Sequence, residues 1–264
     1  MVELFLFLDL YTCIKNFLVW EGKKEIDSLD LMRIDKYISN STPYSRKELK
    51  VFFKKGQVRV NGEVVTDIGR HIDEDCAEVF LGTEKVVYAR FTYLMLNKPA
   101  GYISATYDKK FPVVTDLVPE KYRHIDLFPI GRLDIDTVGL LVLTNDGDLA
   151  HRLLTPKSHV PKTYFVKARE PLSDEGIQAF KSGIDLGDFV TIPAKVKKLT
   201  ETEALLTIYE GKYHQIKRMY EAVDNEVVYL KRVTMGALNL DESLAQGQMR
   251  PLTDREVKLM ETYE

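Results

Sequence analysis

Two carboxylates stand two residues apart behind an arginine in the segment Gly131-Arg132-Leu133-Asp134-Ile135-Asp136-Thr137-Val138-Gly139-Leu140-Leu141-Val142-Leu143-Thr144-Asn145-Asp146-Gly147. A polar loop here runs into an apolar strand and then a turn. The residue types leave three chemistries open for Asp134 and Asp136: metal ligation, a carboxylate pair for glycosidic-bond chemistry, or the side-chain hydrogen bonds of an ordinary turn. Metal ligation is the weakest of these, because no histidine or further acid follows at ligand spacing.

Three other segments carry groups that could join such a site. Leu96-Asn97-Lys98-Pro99-Ala100-Gly101-Tyr102 is a strand entering a Pro/Gly turn, with Lys98 at its end. Lys162-Thr163-Tyr164 opens a strand, where a tyrosine ordinarily serves packing. Glu210-Gly211-Lys212-Tyr213-His214-Gln215-Ile216-Lys217-Arg218-Met219 is a glycine turn entering an amphipathic helix, with Lys212, Lys217 and Arg218 off its apolar face. That pattern alone is also the pattern of a solvated basic face. His214 has no partner at metal spacing and reads as a hydrogen-bonded structural residue rather than a general base.

Behind these segments, strand patterns cover 93–96, 140–144, 163–167, 204–209 and 227–235. Helices are expected over 148–154, from the cap Ser173 to about 182 with Gly183 closing, over 213–223 with Ile216, Met219, Tyr220 and Val223 on one face, and after the Thr253/Glu256 capping box. Strands mixed with few helices predict an α+β domain around a mixed, largely antiparallel sheet, over 91–264.

A smaller module precedes it, over 32–90. The stretch 33–39 reads as a helix burying Ile34, Tyr37 and Ile38. Ser45 and Glu48 form a capping box for a second helix, which carries Leu49, Phe52 and Phe53 and ends at Gly56. Asn61-Gly62 between alternating apolar residues predicts a hairpin, because both central positions of that turn take positive φ. From Met32 to Gly62, eight basic residues (Arg33, Lys36, Arg46, Lys47, Lys50, Lys54, Lys55 and Arg59) face two acids, Asp35 and Glu48, in a chain whose net charge is −3. Such a cluster suits phosphate contacts, or simply a solvated surface.

The helix-helix-hairpin module with its Met32-Arg33-Ile34-Asp35-Lys36-Tyr37, Ser45-Arg46 and Gly56-Gln57-Val58-Arg59-Val60-Asn61-Gly62 pattern resembles the S4 RNA-binding domain. The four downstream segments together resemble the signature of the pseudouridine synthases, in the branch named for the small-subunit ribosomal RNA enzyme RsuA. The likeness runs from Met32 to about Glu256. It implies a sheet with an RNA cleft along one face, and isomerisation of uridine 516 or its equivalent in 16S ribosomal RNA, with 23S RNA as the alternative substrate. It also implies roles: Asp134 as nucleophile, Arg132 filling the gap left by the extruded base, Tyr164 packing against that base, and Lys217 pairing with the carboxylate, with Arg218 second in line. Lys98, Lys212 and Arg218 join the basic module as expected RNA contacts. Asp136 is expected to shape its loop. No metal or cofactor is implied. The partner is ribosomal RNA, free or in an assembling subunit, and the protein is expected to be a cytoplasmic monomer that does not engage membranes. Two other readings fit the sequence less well. A glycosidase would have its two acids only two residues apart and no use for a basic module. A non-catalytic RNA-binding or ribosome-assembly protein would have little need for Asp134, Arg132, Tyr164 and Lys217 together.

Composition agrees with an ordinary globular protein: 264 residues, 45% hydrophobic and 29% charged. The two cysteines, Cys13 and Cys76, lie far apart with no His/Cys set near them, which excludes a disulfide framework and suits a reducing compartment. Residues 4–20 are apolar and aromatic but carry Asp9 and Lys15, short for a membrane span and without an uninterrupted apolar run of about 20 residues. They have no basic region ahead of the apolar stretch, which argues against a signal peptide. Residues 1–31 are expected to be an appendage, with an artefact of start-codon choice as one origin, or else an extra helix packed on the first module.

Overall fold

The computed structural model describes residues 31–88 and 90–262. The stretch 1–30, with its expected appendage and Cys13, lies outside the described residues. The chain divides into two compact units, up to Arg90 and from Phe91 on.

In the first unit, β1 (Leu31–Arg33) leads into α1 (Ile34–Ser41) and α2 (Arg46–Lys54). Then come β2 (Val58–Val60), β3 (Glu63–Val64), β4 (His71–Asp73), β5 (Val79–Leu81) and β6 (Glu84–Val86). The Ser45 hydroxyl accepts from Glu48 N, and the Glu48 carboxylate accepts from Ser45 N at 2.8 Å, so the capping box starts α2 in both directions. Losing such a cap costs about 1 kcal/mol. Asn61 and Gly62 both take positive φ, 50° and 85°, and pair Val60 with Glu63 across the turn. Ile34, Tyr37, Ile38, Leu49, Phe53, Val58 and Val60 close the core, while all eight counted basic residues stay exposed. Among them Arg33 is tied to Asp35 by two hydrogen bonds of 3.0 Å.

The second unit is built on one sheet. Its elements are β7 (Tyr93–Lys98), β8 (Phe128–Pro129), β9 (Val138–Thr144), α3 (Gly147–Leu154), β10 (Lys162–Ala168), α4 (Asp174–Ser182), β11 (Lys195–Lys198), β12 (Glu203–Ile208), α5 (Gln215–Glu221), β13 (Val227–Met235), β14 (Leu238–Asn239), β15 (Met249–Pro251) and α6 (Asp254–Glu261). The strands run β11-β12-β10-β13-β9-β7-β15, with β8 added to β9 and β14 to β13. Of the strand pairs in this sheet among the described residues, β13 with β9 is parallel and the others are antiparallel, so the sheet is mixed and largely antiparallel. Strand β9 is buried at every position, as expected of a central strand covered on both faces. One face carries the core of Leu94, Leu96, Leu141, Tyr164, Val166, Leu206 and Leu230 under Phe180 of α4 and Ile216, Met219 and Tyr220 of α5. The other, around Met95, Leu140 and Val142, is closed by Leu149 and Leu153 of α3 and Met260 of α6.

The expected helix over 213–223 is shorter than the pattern suggested. His214 takes a left-handed conformation, φ 49°, which breaks the helix before Gln215. No helix among the described residues is long and apolar enough to cross a membrane.

Candidate active site

Asp134 sits in the loop that feeds β9, at the one point where the sheet turns parallel. Lys231 pairs with Val138 and Arg232 with Gly139. Gly139 has φ +101°, and a Cβ there would lie 2.3 Å from the Arg232 carbonyl oxygen and 2.9 Å from its nitrogen. Only glycine lets the two backbones meet, and that meeting sets where the Asp134 loop enters the sheet.

The loop is held from behind by the turn after β7. The Lys98 Nζ donates to the carbonyl oxygens of Asp134 at 3.0 Å, Thr137 at 2.8 Å, Pro99 at 3.1 Å and Ile135 at 3.3 Å. Gly101 N donates to Ile135 O at 2.7 Å, and the Ser104 hydroxyl both donates to Leu133 O and accepts from Leu133 N. Lys98 is fully buried. This corrects its expected place among the RNA contacts: the ammonium is turned into the protein, where it organises the carbonyls of the Asp134 loop. Burial pushes it down to about 8, although Asp136 and Asp134 pull the other way.

The opposite wall comes from α5 and the turn before it. Glu210 and Gln215 brace that turn: Gln215 Nε2 donates to Glu210 Oε1 at 2.9 Å, and Gln215 Oε1 accepts from Lys212 N at 3.0 Å. The turn delivers Lys217 and His214 to the carboxylates. Lys217 Nζ lies 2.7 Å and 2.9 Å from the two oxygens of Asp136 and 3.4 Å from Oδ2 of Asp134. His214 Nε2 is 3.6 Å from Oδ1 of Asp134. Burial alone would raise the Asp136 carboxyl, but the hydrogen bond and charge of Lys217 hold it below the usual range. Burial opposes the charge on Lys217, but Asp136 and Asp134 together raise it above the ordinary lysine value.

Asp134, His214 and Lys217 line an open cleft with Arg132, Thr137, Tyr164, Lys212 and Leu230. Tyr164 is buried in β10 and forms an aromatic wall. Arg132 is exposed on the same loop as Asp134. The Thr137 hydroxyl is buried and makes no hydrogen bond. Arg218 points elsewhere: it is ion-paired with Asp188, donates to Leu186 O at 2.8 Å and lies over the Phe189 ring. It is therefore no partner for Asp134, and its guanidinium is already engaged. Lys212 Nζ stands 5.7 Å from the centre of that ring.

The structure thus gathers Asp134, Arg132, Tyr164, Lys217 and Lys212 and leaves Lys98 and Arg218 outside the group that faces the cleft. Sequence reasoning missed the closeness of His214 to Asp134, the braces Glu210, Gln215 and Ser104, and the grip of Lys217 on Asp136. Gln215 could have been found as a polar residue on the buried side of a helix. Among the described residues no group of three or more His, Cys, Asp or Glu could hold a metal ion. What the cleft offers is a carboxylate between two nitrogen groups, beside an aromatic wall. Such a carboxylate can serve as a nucleophile or a base toward an electron-poor carbon.

Residues 92–222 match the family model described as RNA pseudouridylate synthase, and residues 32–75 match that of the S4 domain. An uncharacterised RNA pseudouridine synthase of Bacillus subtilis (strain 168) is 48% identical, over 87% of this chain and 98% of its own length. The ribosomal small subunit pseudouridine synthase A of Escherichia coli (strain K12) is 38% identical over 86% of this chain and 98% of its own. Its Pseudomonas aeruginosa counterpart is 40% identical over 86% and 99%. A crystal structure of a pseudouridylate synthase matches with a TM-score of 0.62 at 35% identity, covering 87% of this chain and 99% of that one.

Proposed function

The chain belongs to the RNA pseudouridine synthases, isomerases that turn uridine into pseudouridine, and on that premise we propose that it modifies 16S ribosomal RNA with Asp134 as nucleophile. The observation that carries the reading is the Asp134 carboxylate held 3.4 Å from the Lys217 ammonium in a cleft walled by Tyr164.

In the proposed reaction, an Asp134 oxygen bonds C1′ of the target uridine as the C1′–N1 bond breaks, and the electron pair leaves with uracil. The ring turns, C5 bonds C1′, and Asp134 is released. The proton on C5 is lost and N1 gains one, so no atom is gained or lost overall. Lys217 sets a positive charge 3.4 Å from the carboxylate in its partly enclosed cleft and orients it toward the sugar. A base inside folded RNA must leave the stack to reach this chemistry. Tyr164 supplies the surface it packs on, and Arg132, exposed beside the nucleophile, fills the space it vacates. The eight exposed basic residues of the S4 unit grip the RNA backbone by shape and charge.

The 16S assignment rests on the relatives named for the small subunit, which align over nearly their whole length. The test maps pseudouridines by carbodiimide adducts and primer extension, on unmodified ribosomal RNAs and on partially assembled subunits, with wild type and Asp134→Asn. A new stop in 16S RNA with wild type alone supports the proposal. A stop in 23S RNA keeps the chemistry and overturns the substrate. Full activity in Asp134→Asn overturns the nucleophile.

A further inference from the structure

Strands β11, β12, β10 and β13 form a four-stranded antiparallel stretch with two unlike faces. Alternate residues Val196, Leu206, Tyr164 and Leu230 turn to the core and the cleft. The residues between them turn the other way. Register aligns Lys197, Leu205, Phe165 and Lys231 in one cross-strand row, and Lys167 opposite Tyr229 in the next. All of these are exposed or half-exposed. The Phe165 and Tyr229 rings stand 6.0 Å apart at 68°, and the Lys195 ammonium lies 5.8 Å from the Tyr209 ring centre.

The composition of this face is unusual for the unit that carries it. A wet sheet face ordinarily alternates polar residues against the buried ones. Here the outward positions hold three aromatic rings and the lysines 167, 195, 197 and 231. The one carboxylate in these rows, Glu203, lies 3.4 Å from Lys167. The unit from 91 on holds 23 Lys/Arg against 25 Asp/Glu, so this local excess of cations runs against a slightly acidic background. Flat apolar rings set among ammonium groups complement a chain that is both polyanionic and built of flat bases. Base–aromatic stacking with phosphate neutralisation is how open sheets hold single-stranded RNA.

We propose that this face, on the side of the sheet away from Asp134, is a second RNA-binding surface that holds a single-stranded segment of the substrate RNA. The proposal rests on the reading of the protein as an RNA-modifying enzyme and adds where a flanking part of that RNA is held. Lys195, Lys197 and Lys231 meet phosphates, and Phe165 and Tyr229 meet bases.

The test uses the full chain carrying Lys195→Glu with Lys197→Glu, the milder Lys195→Gln with Lys197→Gln, and separately Tyr229→Ala. Melting temperature checks that each folds. Binding to unmodified 16S RNA is measured across a salt series, alongside kcat and KM. Expected for the lysine variants is a Kd and KM raised on the order of tenfold near 0.1 M salt, and a log–log salt slope reduced by about 1.4 for two lost phosphate contacts on a single strand. Tyr229→Ala is expected to weaken binding by a similar factor with the slope unchanged. In each, kcat stays at the wild-type value. Folded variants with unchanged Kd and slope overturn the proposal. So does a wild-type dimer, seen by light scattering, that the lysine variants abolish, since the face would then join two copies. Should wild type form no pseudouridine in any ribosomal RNA, the proposed reaction fails on its own, and the Kd comparison still decides the face.

Discussion

Lys217 holds Asp136 more tightly than it holds Asp134: its Nζ is 2.7 Å from one carboxylate and 3.4 Å from the other. The residue assigned the reaction is thus the looser partner, and the tighter one anchors the cation. Asp136 is more exposed than Asp134, with 63% of its side chain accessible against 28%. An arrangement of this kind fixes a charge beside the reactive group without tying both of that group's oxygens in hydrogen bonds. Asp136→Asn is expected to lower kcat by only about threefold, since the cation remains and can shift toward Asp134. Lys217→Met is expected to cost about a hundredfold in kcat with little change in KM, and Lys217→Arg to recover part of it. Single-turnover rates on saturating RNA check all three.

The same pair has a defined pH window. Asp136 is lowered below its ordinary 3.8 by Lys217, against the opposing effect of burial, so its contribution to stability is present above 3.8 and is lost as pH falls through the lowered value. Lys217 is raised above 10.5 by Asp136 and Asp134, again against burial, so its contribution is present below 10.5 and is lost as pH rises through the raised value. The pair therefore acts across the whole neutral range. The melting-temperature difference between wild type and Asp136→Asn should stay level from about pH 5 to 9 and close in acid, and again in alkali as Lys217 loses its proton. A difference that closes between pH 6 and 8 would assign the coupling to another group.

Lys98 behaves in the opposite sense. Burial lowers it to about 8 from 10.5, so between those values the unfolded chain binds the extra proton and stability rises with pH. Activity should move the other way. As Lys98 loses its proton through about 8, the amine keeps two donors for four carbonyls and loosens the Asp134 loop. We expect the single-turnover rate to fall on the alkaline side with an apparent midpoint near 8 while the protein remains folded. Measuring rate and melting temperature on the same pH series separates the two effects.

Gly139→Ala tests the junction of β9 and β13. The new methyl would meet the Arg232 backbone at 2.3 Å, at a φ of +101° that L-residues rarely adopt. Backbone, unlike a side-chain tip, cannot swing aside. The expected cost is about 3 kcal/mol or more, seen as a large drop in melting temperature or in soluble yield. Gly62→Ala, with φ +85° and nothing within 4 Å of the added Cβ, should be much milder.

Local signals carried most of the fold. The capping boxes at Ser45 and Thr253, the turn at Asn61-Gly62, and the strands at Thr163 and Val227 lie in patterns a few residues long, and the structure keeps them. Strands β8 and β14, two residues each, are too short for any periodicity. The parallel pairing of Val138 with Lys231 joins positions far apart in sequence, and only the packed sheet reveals it. Lys98 reads as a surface residue because an isolated ammonium is costly to bury. Its four carbonyl partners come from two segments that meet only in the folded chain.

His214 poses the remaining question about the site, because two features meet at one residue. Its Nε2 faces Asp134 at 3.6 Å, while its ring carries that of Tyr213, with centroids 3.8 Å apart and planes 16° from parallel. Tyr213 is 76% exposed at the edge of the cleft. A left-handed backbone at position 214 limits the informative substitutions, and asparagine tolerates that conformation best after glycine. His214→Asn should therefore keep the turn while removing both the ring support and the nitrogen beside the carboxylate. Tyr213→Ala removes only the outer ring. If the stack serves RNA and the nitrogen serves Asp134, Tyr213→Ala raises KM by about fivefold and leaves kcat alone, whereas His214→Asn also lowers kcat by about tenfold. Equal effects of the two variants on both constants would mean that His214 acts solely as the support for Tyr213.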